Sequence, residues 1–560
     1  MGKKLLRFWI QLIQKQQSTV LSAAVIIMLS YGISMILGLL RERLLITYFY
    51  GCCVDELASY YAAFRLPDTV FQLLVAGSLS AAFIPIYSRI INQSKKEALR
   101  TASMVLNGLL LGFVILGLPI FIWAPQLARM ITGSFSEYQI GLMSNFIRLM
   151  LAAQFFFVVS SFMTGMIQSY QRFLLPALAP IIYNLGIIGG LVALSSKLGI
   201  YAPVVGVILG AGLHAIIQVP LIWKLGFRYQ KVWDVKNIYV REIGKLMLPR
   251  ALASGINQLE AMAAVYFATS ISSVSLILFL LAQTLMQLPV KLVGVPISQA
   301  ALPSLSRVPE EKKTYFQQLL IDNLLQILYF VLPITAILVI LGLPAVRLAY
   351  GAENFPWEAT KLTRKALAMF VLAIPSQALI QLLIRGFYAL KDTKTPLWMG
   401  LAAVGSFLGM SYVTTFVLHW GILGLASATS LASLFQATGL FWLLHRKISL
   451  LSQQAIWPVI KLLLATLVMS ISVWIPYRLL DIYVLNTSRV LPLLGLTITV
   501  TAIGLAIYIS LCHGLKIEQQ DNFLKLLENL PGTKKSIIKL KTLTALASGT
   551  SGGSGYEQST

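Results

Sequence analysis

Fourteen times along this chain an apolar run reaches the roughly 20 residues that a helix needs to cross a lipid bilayer. The runs cover residues 19–40, 57–88, 103–124, 139–168, 174–196, 201–223, 246–272, 275–303, 317–345, 363–390, 396–418, 421–443, 456–477 and 490–512. No segment between them is long enough to form a separate water-soluble domain. Only 11% of the residues are charged and 57% are apolar, against roughly 25% charged in an ordinary soluble domain. That charge cannot cover a surface facing water. The pattern excludes a soluble enzyme, a disordered chain and a disulfide scaffold. It implies an all-α polytopic membrane protein with 14 transmembrane helices.

The basic residues fix the expected sides. With the N-terminus placed in the cytoplasm, 28 of the 44 lysines and arginines fall in inner segments, 10 in outer ones and 6 within runs. An excess near three to one agrees with the positive-inside rule. The net charge of +24 then reflects loops held against an anionic leaflet and not a nucleic-acid partner. Lys3, Lys4, Arg7 and Lys15 precede the first run, and no small-residue cleavage site follows it. The first run is thus expected to stay in the membrane, with both termini cytoplasmic and a short N-terminal segment over 1–18. After the last run, Phe523, Leu524, Leu527 and Leu530 share a helical face, so 513–547 is expected to lie on the inner surface as an amphipathic tail. Residues 548–560 have linker composition and read as a flexible end. Cys52, Cys53 and Cys512 lack metal-ligand spacing and read as small apolar fillers.

The chain also repeats itself. AGSLSAAFIPIYSR from Ala76 and GVPISQAALPSLSR from Gly294 align without gaps at an offset of 218, matching Ser80 with Ser298, Pro85 with Pro303 and Arg89 with Arg307. GMIQSYQRFLLP from Gly165 and GFYALKDTKTP from Gly386 share Gly, Tyr, a basic turn and Pro at an offset near 220. Six runs return the chain to the same side, so the halves are expected in the same orientation. The reading is an N-lobe over 19–225, a C-lobe over 241–445, two extra spans over 456–512, and a cavity between the lobes.

A charge at mid-membrane costs at least ~2.5 kcal/mol, so it normally faces a wet cavity or a partner. Arg41 and Glu42 stand at the outer end of the first run, and Arg65 and Asp68 flank Leu66-Pro67 in the second. That proline removes an amide and breaks the helix. Arg250 and Glu260 lie in the seventh run and Lys291 in the eighth. An embedded carboxylate such as Glu260 suits a proton or sodium site. Arg148, Asp322, Arg385 and Lys461 are also embedded, and the last three, near run ends, are expected to reach the interface. The embedded cations outnumber the carboxylates, which suits an anionic substrate such as a phosphate or pyrophosphate. There is no P-loop, the four histidines lack ligand spacing, and no nucleophile–base constellation stands out. A transporter without metal or cofactor is favoured over an enzyme.

These motifs resemble those of the MurJ (MviN) family of lipid II flippases in the MOP exporter superfamily. The likeness runs from about residue 19 to 515. It rests on LGLLRE ending in Arg41-Glu42, the FRLPD break, AGSLSAAFIPIYSR, QRFLLPALAPIIYNLGII from Gln171, LPR around Arg250, ALPSLSR and GFYALKDTKTP. The resemblance implies movement of an undecaprenyl-pyrophosphate-linked disaccharide-pentapeptide from the inner to the outer leaflet by alternating access, driven by an ion gradient or the membrane potential. It also implies a place beside the cell-wall synthesis machinery. It makes Arg41, Arg65, Asn184, Arg250 and Lys291 the candidate pyrophosphate-binding residues, and Glu42, Asp68 and Glu260 the candidates for ion coupling or gating. At three positions where family members carry arginine, this chain has Met35, Phe71 and Thr284. Lys291, two turns beyond Thr284, and Arg250 are the expected replacements. The altered cations would also permit a flippase for another polyprenyl-pyrophosphate-linked oligosaccharide.

Overall fold

A computed structural model describes residues 20–520 apart from 77–78, 235, 310–311, 451–452 and 481–488, with most side chains from Leu29 onward. The expected N-terminal segment over 1–18, the amphipathic face around Phe523 and the flexible end lie outside the described residues. Among the described residues every regular element is a helix. Ten helices are long and apolar enough to cross a membrane, and an eleventh if Trp357–Met369 and Ala373–Ala389, bent by 45°, count as one span. The other three of the fourteen expected runs are helical too where they are described. Residues 57–88 are broken into short pieces, 246–272 carry embedded charges, and 19–40 begin outside the described residues.

The chain divides into two compact units. The first holds residues up to Leu278 with Ala349–Trp357 and Thr415–Ile422. Its helices are α1 (Val20–Phe49), α2 (Val54–Ala63), α3 (Arg65–Phe71), α4 (Leu79–Gln93), α5 (Lys95–Ile122), α6 (Ala124–Ile131), α7 (Glu137–Ser169), α8 (Leu174–Leu198), α9 (Tyr201–Ile216), α10 (Val219–Lys224) and α11 (Ile238–Ile271). A π-helical turn, Gln72–Ala76, follows α3. α7 is the hub, packing on α2, α4, α5, α6 and α9. Ser136 and Gln139 close a reciprocal capping box at its start, which satisfies two end amides. Phe146, Ile147, Met150, Phe162 and Met166 along it are fully buried. α11, which the repeat places at the head of the second lobe, packs on α4 and on the π turn of this unit.

α8 and α9 approach unusually closely. Gly186 and Gly190 face Gly210 and Gly206, and a Cβ on Gly190 would stand 2.5 Å from the Gly206 Cα. Two small-xxx-small stretches therefore interlock, the arrangement that lets helices touch backbone to backbone in lipid, where apolar burial alone drives little association.

α12 (Ser273–Pro289) carries the chain into the second unit, which spans Phe279–Leu348, Glu358–Thr414 and the residues from Leu423 onward. A second π turn, Val290–Gly294, precedes α13 (Val295–Ser306), and α14 (Lys313–Ile340), α15 (Gly342–Tyr350), α16 (Trp357–Met369), α17 (Ala373–Ala389), α18 (Lys394–Tyr412), α19 (Gly421–Ile448), α20 (Gln453–Leu479) and α21 (Val490–Gly514) follow. Beyond Lys461, α20 is apolar on both its inner and outer faces. Leu462, Ala465, Met469 and Val473 are buried against α14 and α21, while Leu463, Leu467, Ile471 and Trp474 are each more than half exposed. Such a helix is stable only where lipid covers its outer face.

The internal repeat is written into the backbone. Two of the three π turns among the described residues, Gln72–Ala76 and Val290–Gly294, are 218 residues apart, the offset of the first sequence match; the third is Val413–Val417. Gln171 and Lys391 both adopt a left-handed conformation, with φ of 57° and 59°. Around the first, the amide of Arg172 donates to the Ile167 carbonyl and that of Gln171 to Gln168; around the second, Asp392 donates to Phe387 and Lys391 to Tyr388. Each pair of bonds is shifted by 220 residues.

Cys52 and Cys53, expected as apolar fillers, sit instead in the solvent-facing turn between α1 and α2 and are joined as a disulfide. Cys512 alone is a buried filler.

Candidate functional site

α1 and α8 pack side by side, and the glycine seam holds α9 hard against the other side of α8. This fixes Tyr183 and Asn184 of α8 against the middle of α1. Asn184 is 6% exposed. Its amide nitrogen donates to the Ser34 carbonyl at 3.2 Å, to Ser34 Oγ at 3.1 Å and to the Pro180 carbonyl at 3.1 Å. Its oxygen is left to face Arg41, whose Nη1 donates to it at 3.4 Å.

Arg41 Nη2 donates to Glu42 Oε1 at 2.6 Å. The other carboxylate oxygen of Glu42 accepts the Tyr61 hydroxyl at 2.6 Å. Neighbouring residues on a helix ordinarily point apart, yet the Arg41 guanidinium meets Glu42 with one nitrogen and Asn184 of α8 with the other. Glu42 is buried, and Arg41 keeps 24% of its side chain exposed. A lone buried charge is costly, and the paired carboxylate lets the guanidinium remain in the membrane interior. One group is still unsatisfied: Arg41 Nε is buried without an acceptor.

Arg65 and Asp68 stand one turn apart on α3. The break in the second run falls at Phe64, just before α3, because Pro67 offers no amide to the Ala63 carbonyl. Gln72 Nε2 lies 3.5 Å from Asp68 Oδ1. Arg65 Nε, like that of Arg41, is buried with no acceptor among the described residues. Tyr183 lies within electrostatic reach of both Arg41 and Asp68. The first unit thus presents two guanidiniums, each with an unmet hydrogen-bond donor, in a wall of tyrosines and one asparagine. A multi-oxygen anion is the ligand type that meets such donors.

The other expected residues are placed differently. Arg250 is exposed and Glu260 half-buried on α11, and among the described residues neither forms a hydrogen bond or ion pair, with each other or with anything else. Lys291 is exposed on the π turn of the second unit. Met35 and Phe71 are half-buried apolar residues, the latter ring 5.8 Å from that of Phe157. Thr284 returns its hydroxyl to the Leu280 carbonyl at 2.8 Å. The remaining embedded cations find backbone oxygens: Arg148 the Phe121 carbonyl at 3.1 Å, Arg385 that of Val295 at 3.1 Å and Lys461 that of Leu515 at 2.9 Å. Among the described residues no group of three or more metal-ligating side chains is present. His214 is used in packing, meeting Ser160 in a network with Gln218 and Thr164.

Sequence reasoning missed Tyr61, Ser34 and the glycine seam. The seam had a legible signal in the paired Gly-x-x-x-Gly spacings. Tyr61 and Ser34 had none, because their partners are set by helix packing.

Residues 54–491 match the family model described as "Lipid II flippase MurJ". A protein of Bdellovibrio bacteriovorus named "Probable lipid II flippase MurJ" is 26% identical over 525 residues, covering 90% of this chain and 97% of its own length. The lipid II flippase MurJ of Thermosipho africanus is 27% identical over 420 residues, covering 74% and 84%. A solved structure of a lipid II flippase MurJ in an inward closed conformation is similar with a TM-score of 0.69 at 24% identity, over 86% of this chain and 98% of that one. An inward-facing MATE family multidrug transporter of the MOP superfamily is similar with a TM-score of 0.57 at 15% identity, over 74% and 95%. At these identities the structural likeness speaks for the fold.

Proposed function

Because the chain belongs to the lipid II flippase MurJ family, we propose that it carries the undecaprenyl-pyrophosphate-linked peptidoglycan precursor from the inner to the outer leaflet of the bacterial cytoplasmic membrane. The observation that carries this reading is the pair of half-buried arginines, Arg41 and Arg65, each with a buried Nε–H that no described residue accepts. Pyrophosphate oxygens would complete both. Asn184 holds Arg41 in place, and Glu42 balances its charge when no substrate is bound. Arg250 and Lys291 supply the cations that Met35, Phe71 and Thr284 do not. The movement needs no covalent step. It proceeds by alternating access and draws on an ion gradient or membrane potential, with Glu260, Asp68 and Glu42 as the carboxylates able to take up a proton or sodium ion. Both termini face the cytoplasm in this reading, as the distribution of lysine and arginine favours.

The test is rescue of a bacterial strain depleted of its own lipid II flippase, read as growth and as lipid II exposed on the outer leaflet. Rescue by the wild type and loss of rescue by Arg41→Ala at equal membrane abundance support the reading. Normal abundance without outer-leaflet lipid II overturns it and favours another polyprenyl-pyrophosphate-linked glycan as cargo. Full rescue by both Arg250→Ala and Lys291→Ala would end the replacement argument alone.

A further inference from the structure

The second unit carries a polar cavity of about 450 Å³, and none of its lining residues is among the substrate-site candidates. It lies where the first turns of α14 and α20 meet the chain just past α21. Asp322, Lys461, Lys516 and Glu518 line it, with Gln317 and Trp457. A second cavity of about 400 Å³ shares Ile321 and Leu325 with it. That one is walled almost entirely by apolar side chains, Leu328 of α14 and Val459 of α20 together with Leu379 of α17 and Phe441 of α19. Along α14 polarity therefore changes from the first turns toward the middle of the helix, charged first and apolar next. A lipid in a bilayer leaflet has the same order.

The charges choose the headgroup. Two ammonium groups and two carboxylates line one small space, so their sum is near zero, and among the described residues no ion pair joins them. Lys461 spends one donor on the Leu515 carbonyl at 2.9 Å, and an ammonium has two more to offer. An anionic headgroup would meet the carboxylates of Asp322 and Glu518. A quaternary amine would bring no N–H to them. A phosphate joined to a primary amine satisfies both pairs: oxygens on Lys461 and Lys516, N–H groups on Asp322 and Glu518. Both volumes fall in the range of small-molecule sites.

We propose that this pair of cavities is a binding site for a resident zwitterionic phospholipid with a phosphoethanolamine headgroup, its acyl chain lying in the apolar cavity. The helix ends concerned belong to the face that the basic residues assign to the cytoplasm, so the lipid comes from the inner leaflet. It ties α20 and α21 to the helices before them.

The test uses the full-length protein, purified in detergent and stripped of lipid. Native mass spectrometry follows its titration with dioleoyl phosphatidylethanolamine, phosphatidylcholine, phosphatidylglycerol, undecaprenyl phosphate and soluble glycerophosphoethanolamine. The expected result is one saturable phosphatidylethanolamine adduct, with each competitor about tenfold weaker or worse, and about tenfold weaker binding in Asp322→Asn and Lys461→Gln, the usual scale for losing one charged hydrogen bond. Equal binding of phosphatidylglycerol or phosphatidylcholine overturns the headgroup assignment. Displacement by undecaprenyl phosphate would make the cavity a substrate subsite, and equally tight glycerophosphoethanolamine would make it a site for a soluble metabolite; either ends the proposal. The wild-type preference decides the matter even if a variant fails to fold.

Discussion

The hydroxyl of Tyr61 meets Glu42 Oε2 at 2.6 Å, on the opposite side of the carboxylate from Arg41. Glu42 is thus held by a cation and a neutral donor at once. Tyr61→Phe should lower stability by about 1–3 kcal/mol, the usual cost of leaving a buried acceptor short of a donor. Glu42→Gln should cost more, about 3–5 kcal/mol, because it leaves the Arg41 charge uncompensated. Thermal unfolding in detergent reads both. A Glu42→Gln protein as stable as the wild type would show that Arg41 does not need its partner.

Arg41→Lys keeps the charge and loses the fork. A lysine cannot reach Glu42, Asn184 and a bound anion together. Substrate affinity should fall about tenfold or more with near-normal folding, measured as lipid II binding to purified protein. Wild-type affinity would place the anion elsewhere.

The seam between α8 and α9 tolerates no side chain. Gly190→Val or Gly206→Leu should push the two helices apart and destabilise the protein by several kcal/mol, about the cost of overpacking a core at a backbone contact. Gly212, which has nothing within 4 Å of its Cβ position, should accept alanine without loss. Equal melting temperatures for Gly190→Val and Gly212→Ala would contradict the seam.

Asp392 caps the start of α18. Its Oδ1 accepts the amides of Lys394 and Thr395 at 3.1 and 3.0 Å, and its Oδ2 accepts the Thr395 hydroxyl and Lys447. Partial burial raises its pKa, but the bonds from Lys447 and Thr395 outweigh that and hold it at about 2. A depressed carboxylate pKa contributes stability above its ordinary value near 4, and that contribution disappears as the pH falls toward 2. Asp392→Asn keeps an oxygen for the two amides but loses the charged acceptor of Lys447, so it should cost about 1 kcal/mol at neutral pH and much less near pH 2. Unfolding followed from pH 7 to pH 2 gives the comparison, and a gap that persists at the acid end would refute it.

Gln171 and Lys391 hold left-handed backbone that glycine adopts freely. Gln171→Gly and Lys391→Gly should each raise stability by up to about 1 kcal/mol. A loss at either position would mean that its side chain matters more than its φ.

The architecture was legible because bilayer crossing leaves a one-dimensional trace. Long apolar runs, the repeat and the basic bias need no knowledge of which helix meets which. The pairing of Arg41 with Glu42 was visible only as adjacency, and adjacent helix residues ordinarily point apart. Tyr61 and Ser34 entered the site through the packing of α1 on α2 and α8, which no local pattern encodes. The reading of Cys52 and Cys53 as fillers failed for the same reason. Apolar character suggested burial, whereas the chain places them in a turn.

The paired π turns have a mechanical meaning. Each stores one residue beyond the helical repeat, worth about 100° of rotation if the turn tightens to an α-helix. Both halves of the chain therefore keep slack at the same point of the repeat. Either can twist its inner end against its outer end there without unwinding a helix or moving an anchor at the membrane surface.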